Sequence, residues 1–286
     1  MSQLIDNLNT IESIKTDIKA AIENKGVDMT GVSFPGYASK IGEISGGGTV
    51  GWDQKSFTEG TIEIINLDNS ASFVAVEAFM NDKKIQTVNL PYATSVGKSA
   101  FYRCSSLSQV SLPMCSKINK GCFSGCTSLS QVSIPVCSYI GNNAFQSCSS
   151  LSQVSLPMCS YIGGNAFRCC TSLRQVSLPV CNYIADGIYA GGGLHTSGTF
   201  YQCTLLTQVD LPMCSYIGSD AFRVCSSLSI ITIGYSSICS LKNINAFNAT
   251  QITSSTGSIY VPASLVDAYK SAANWSYFST QIFPIE

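Results

Sequence analysis

The chain has 286 residues, room for one large domain or two ordinary ones. Only 12% of residues are charged and the formal net charge is −1, which excludes a nucleic-acid partner held by clustered Lys and Arg. No apolar run reaches the roughly 18 residues of a membrane helix, so no membrane insertion is expected.

The first stretch, MSQLIDNLNTIESIKTDIKAAIENKG, has no basic start, apolar middle or small-residue cleavage site. No secretory signal is expected, and the protein reads as made in a cytoplasm. Leu4, Ile11 and Ile18 stand seven apart, with Leu8, Ile14, Ala21 and Ile22 filling the same stripe. That spacing predicts a helix over 2–24, capped by Gly26. A second short helix is expected over 37–44. The stripe has two readings: packing on that second helix, or a seam between copies. Residues 1–45 thus read as a helical docking or oligomerisation module. Residues 46–60, opened by Gly46, Gly47 and Gly48, read as a flexible linker.

From 61 to 258 the chain repeats. A phenylalanine, usually after Ala, falls at Phe79, Phe101, Phe123, Phe145, Phe167, Phe200, Phe222 and Phe247. The steps are 22, 22, 22, 22, 33, 22 and 25 residues, and such a fixed period marks a solenoid. Within each unit, Val-Ser-Leu alternates apolar and polar and reads as a short strand with one buried face. Pro113, Pro135, Pro157, Pro179 and Pro212 end these strands, having no N–H for a ladder. Ile118, Ile140, Ile162, Ile184 and Ile217 mark a second inward point. Eight coils at a strand spacing of about 4.8 Å would form a body on the order of 40 Å long. Each unit leans on its neighbours, and both ends need caps.

Fourteen cysteines would spell a disulfide framework in a short secreted chain, but this chain is long and shows no leader. They fall in two columns instead. Cys104, Cys126, Cys148, Cys170, Cys203 and Cys225 each follow the marker Phe by three residues; Cys115, Cys137, Cys159, Cys181 and Cys214 each follow the Pro by two. Both columns are expected inside the coil as small hydrophobes, packed with Phe101, Phe145, Phe167 and Phe222. Zinc needs paired ligands at close spacing, and neither Cys122 with Cys126 nor Cys169 with Cys170 has a second pair or a histidine. No metal and no cofactor are expected.

Two outward columns are candidate binding residues. The strand residue between Val and Leu is Ser133, Ser155, Ser177 and then Asp210, on a face expected to be flat, polar and nearly uncharged. The residue before each Ile is Tyr139, Tyr161, Tyr183 and Tyr216. A tyrosine column suits a sugar-stacking or protein-contact surface, or else covers the seam between coils. The step of 33 hides an 11-residue insertion within ADGIYAGGGLHTSGTF, carrying Tyr189 and the only histidine, His195. Insertions in solenoids map to loops on one face, often the binding face. One histidine and no paired-carboxylate cleft or nucleophile triad argue against an enzyme.

The unit L-x-x-V-x-L-P-x-C-x-x-I-x-x-x-A-F-x-x-C-x-S resembles the BspA-like leucine-rich repeat. The last 28 residues, IYVPASLVDAYKSAANWSYFSTQIFPIE, are similar to that family's closing segment. The resemblance implies a leucine-rich-repeat-like solenoid of mainly short β-strands and turns, with eight coils of about 22 residues and a helix-containing cap over 259–286. Family members are mostly surface or adhesion proteins without catalytic residues. Residues 1–45 resemble a module of bacteriophage tail and fibre proteins. Together these resemblances imply a non-catalytic phage tail or fibre component in the virion, assembled in the host cytoplasm. Its partner would be a host-surface glycan or protein, with 1–45 contacting other virion proteins or itself. The alternative is a bacterial cell-surface adhesion or scaffold protein.

Overall fold

The computed structural model describes residues 73–188 and 197–286, together with the backbone of 64–66. The helices expected within 1–45 and the linker 46–60 lie outside these residues. The described chain winds as a right-through stack of coils, all of whose strand pairs are parallel.

Two strand columns run along the stack. The first contains Ile64–Asn66, Thr87–Asn89, Gln109–Ser111, Gln131–Ser133, Gln153–Ser155, Gln175–Ser177, Gln208–Leu211, Ile230–Ile233, Ser258–Val261 and Ile282–Pro284. The second contains Phe73–Val74, Ser95–Val96, Lys117–Ile118, Tyr139–Ile140, Tyr161–Ile162, Tyr183–Ile184, Tyr216–Ile217 and Ser240–Leu241. Like residues face like residues: Val154 pairs with Val176, and Ile162 with Ile184. The first column divides into sheets of four and six strands between Gln131–Ser133 and Gln153–Ser155. That division falls at the coil whose strand valine, Val132, is only half-buried.

Eight coils carry both strands, and a ninth turn follows, because Ser258–Val261 pairs in parallel with Ile230–Ile233. Counting marker phenylalanines therefore fell short of about nine turns. The ninth turn carries no Ala-Phe pair, since its interior is filled from the cap instead.

The interior follows from the alternation. Val110, Val154 and Leu112, Leu156 are buried, while Gln131 and Ser133, Gln153 and Ser155 are exposed on the opposite side of the pleat. The phenylalanines form one continuous stack, with ring centroids 5.1–5.9 Å apart and planes within 13°. Backbone bonds cross the coils here too: Phe123 N–H donates to Ala144 O at 2.8 Å, and Phe145 N–H to Ala166 O at 2.7 Å. Six of the eight phenylalanine arcs hold two residues in the left-handed region, such as Asn143 (φ 57°) and Ser147 (φ 59°) flanking Phe145, while those of Phe200 and Phe247 hold one each, Gln202 and Ala249.

The stack ends in a built cap. Phe278 meets the last ring, Phe247, edge-on at 5.5 Å, and Trp275 tilts against it at 6.0 Å. Both come from the 3-10 segment Trp275–Gln281. The short helix Val266–Ser271 supplies buried Tyr269, whose hydroxyl accepts the Cys239 N–H at 2.8 Å. Trp275 Nε1 donates to Cys239 O at 2.6 Å. The terminal turn's polar backbone is thereby satisfied from the cap.

Candidate functional site

All the cysteines are free thiols, and thirteen of the fourteen are buried, the exception being half-buried Cys169. The two columns do different jobs. Cys126 Sγ donates to Phe101 O of the preceding coil at 3.1 Å, Cys148 to Phe123 O at 3.2 Å, and Cys170 to Phe145 O at 3.1 Å. Cys104, Cys203 and Cys225 repeat this bond to Phe79, Phe167 and Phe200. Each of these carbonyls from Phe101 on also accepts the N–H of its own coil's cysteine, so the thiol takes the second lone pair. The other column turns within its own coil: Cys137 Sγ donates to Tyr139 O and Cys159 Sγ to Tyr161 O, at 3.3 and 3.2 Å. Burial raises Cys115 to about 11 and Cys104 and Cys159 to about 12, from an ordinary 9.0. These three are inert, protonated donors.

The tyrosines are half-buried and stacked on one another, at 4.9 Å (Tyr139–Tyr161), 5.4 Å (Tyr161–Tyr183) and 4.5 Å (Tyr183–Tyr216). The ammonium of Lys117 covers the first ring at 4.8 Å. At the other end the Tyr216 hydroxyl donates to the Asp186 carboxylate at 3.0 Å. Burial, then this bond, raises the Tyr216 phenol. The inner ring faces are taken up by neighbouring rings, so the column offers solvent ring edges and hydroxyls. Asp186 also accepts the Ser219 N–H at 2.8 Å, which ties the root of the insertion to the next coil. Ile188 O accepts Ser197 Oγ at 2.7 Å across that root. Tyr189 and His195 lie outside the described residues.

The strand face is different in kind. Gln131, Gln153, Gln175 and Gln208 form an exposed amide column beside Ser155, Ser177 and Asp210, and together they line a shallow trough of about 720 Å³. Ser133 is exposed on the same face at the trough's edge. The face expected to be flat thus carries a shallow trough, floored by the backbone at Val132, Val154 and Val176, whose side chains turn into the coil. Three other hydroxyl columns spend most of their protons on the stack. Ser138 Oγ donates to Ser116 O and Ser160 Oγ to Ser138 O, at 3.2 and 3.3 Å. Ser130 Oγ likewise donates to Ser108 O, and Ser149 Oγ to Thr127 O. On the strand face, the side chains of Ser133, Ser155, Ser177 and the four glutamines have no partner among the described residues. The glutamines were missed in the sequence, although they recur two residues before the serines with the same period.

These coils, with their in-register short strands and stacked phenylalanines, define a β-solenoid of leucine-rich-repeat type. The model of the BspA type leucine-rich repeat region matches residues 52–174 and 194–281. The chain belongs to that family. Among solved structures it is similar to a leucine-rich cell surface protein of Faecalibacterium prausnitzii, at 26% identity and a TM-score of 0.51, over 62% of this chain and 49% of that one. The chain thus spans about half of that relative. It is also similar to a leucine-rich repeat protein of T. pallidum, at 29% identity and a TM-score of 0.50, over 59% of this chain and 79% of that one. A comparison with curated proteins finds no significant match.

Proposed function

We propose that this chain is a non-catalytic adhesion or binding module of a bacterial cell surface, engaging an uncharged, hydrogen-bonding partner along its strand face. The observation that carries the reading is the contrast between hydroxyl columns. The columns through Ser138, Ser130 and Ser149 bond to the preceding coil, whereas the strand-face amides and hydroxyls are exposed and unspent along a shallow trough. Repeat solenoids bind through such extended faces, and unpaired donors and acceptors confer specificity when a partner satisfies them. The description of the Faecalibacterium relative as a cell surface protein supports the location. Neither the family nor the relatives named above support the phage tail reading.

The test is a glycan and whole-cell binding screen on three chains. These are the intact chain, one carrying Gln153→Ala, Ser155→Ala, Gln175→Ala and Ser177→Ala, and one lacking 189–196. The face variant should keep its melting temperature, because those side chains hold nothing within the molecule, and lose at least tenfold in affinity. Full binding by the face variant with loss in the loop variant would assign the contact to the insertion and sink the reading.

A further inference from the structure

One column of large apolar side chains lies outside the core. The residue after each strand-ending proline is Tyr92, Met114, Val136, Met158, Val180 and Met213, exposed by 48, 54, 41, 57, 40 and 48%. Their coils are held in register on either side, by Asn89 opposite Ser111 and by Tyr139 opposite Tyr161, so the six form a straight ridge along the stack. Monomeric proteins rarely leave so continuous an apolar strip to water.

We propose that this ridge is the contact between two copies of the chain, packed antiparallel about a two-fold axis between Val136 and Met158. Three observations select a second copy as the occupant. The first is period. The ridge repeats at the coil spacing of about 4.8 Å, whereas an extended peptide repeats its same-face side chains every 6–7 Å or so and falls out of step within a few rungs. A second stack of the same coils stays in step. The second is shape. From Met114 to Met213 long and short side chains alternate: Met, Val, Met, Val, Met. A two-fold at the ridge centre sets Met158 against the partner's Val136, Met114 against the partner's Val180, and Tyr92 against the partner's Met213. Met114 and Met158 thus enter the notches over short valines, Met213 meets the ring of Tyr92, and all six rungs pair, as an isologous contact requires. The third is charge. None of the six is ionisable except the phenol of Tyr92, and a net charge of −1 gives two copies little mutual repulsion. Two such ridges remove on the order of 1,000 Å² from water, the lower bound for a specific interface, so the dimer is a weak one.

The test uses the full chain. Sedimentation velocity from about 1 to about 500 µM should show a monomer–dimer equilibrium. Met158→Glu places a carboxylate against the partner's Val136 twice across the axis. It should raise the dissociation constant at least tenfold while the melting temperature holds. A photo-crosslinking phenylalanine in place of Val136 should capture the peptide containing Met158 of the partner subunit. Gln153→Ala, on the strand face, should leave the dimer unchanged, which separates this contact from ligand binding. A monomer at every concentration, a dimer indifferent to Met158→Glu, or crosslinks landing elsewhere, including residues 1–45, would overturn the proposal.

Discussion

The phenylalanine stack makes a quantitative claim about how stability is transmitted. Phe145 is wholly buried and stacked on Phe123 at 5.4 Å and on Phe167 at 5.3 Å. Phe145→Leu keeps most of the apolar volume and removes both ring contacts, a loss of about 1–3 kcal/mol at about 0.5–1.5 per ring pair. Phe123→Leu alone also breaks two contacts. In the double variant the shared contact is broken once, so the second change costs less by about 0.5–1.5 kcal/mol, and that difference is the coupling energy. Phe101 and Phe145 stand two rungs apart, at about twice the 5.4 Å step, and should couple by less than about 0.5 kcal/mol. Urea unfolding of the four chains in each cycle measures both couplings. Stacked repeats can open in segments, so amide exchange at Phe123 and Phe145, whose N–H groups bond to the next coil, should accompany it. A coupling at two rungs equal to that at one, or none at one, would refute nearest-neighbour transmission through the rings.

Alkali should unfold the protein through its thiols. Burial raises Cys115 to about 11 and Cys104 and Cys159 to about 12 from 9.0, so the folded chain holds these protons more tightly than the unfolded one. Their contribution is complete below about pH 9 and is lost as pH climbs through 11–12, at about 1.4 kcal/mol per thiol per pH unit. The melting temperature should therefore be flat from about pH 6 to pH 8 and fall above about pH 9. Val224 sits in the left-handed region at φ 60°, where Asn81 sits in an earlier coil. Val224→Asn should stabilise the protein by about 1 kcal/mol in urea unfolding. Gly163→Ala should do the reverse by about 1–3 kcal/mol, since a Cβ there would lie 2.6 Å from the backbone nitrogen of Asn142.

What the sequence made legible was whatever repeats with a single cause. The Phe, Val, Leu and Ile columns each mark an inward point, and burial alone explains them, so their period located the coils. The cysteine columns lie inside, where a small hydrophobe would, but the sequence hides their donor role. A thiol three residues after Phe reads as a small hydrophobe, and only the register shows that its sulfur meets the carbonyl one coil back. In sequence the tyrosines suit either a contact surface or a cover for the seam between coils, and the stacking distances show their faces filled by one another. The serines posed the hardest case. Ser138 and Ser155 are alike in sequence, but one bonds to its neighbour coil and the other faces the trough. The ninth turn escaped notice because its interior is filled by Trp275 and Phe278, far along the chain, rather than by a local marker.

The shortage of charge now has a structural cause. In a stack with matched register, any residue type repeated in every unit stands over its own copy. Two like charges about 4.8 Å apart repel by about 1 kcal/mol even in water, and a column of six would multiply that fivefold. The few charges on the strand columns avoid this by standing alone. Lys117 lies between Ser95 and Tyr139, and Asp210 between Ser177 and Thr232. Neutrality is therefore a requirement of the repeat before it is a clue to any partner. It also limits the means of recognition. A surface barred from charged columns can repeat only hydrogen-bonding and apolar groups, and this molecule does both, with amides and hydroxyls along the trough and methionines along the ridge. Specificity must then come from spacing, since every rung offers nearly the same chemistry at the same interval, and a partner is selected by whether its own groups keep step.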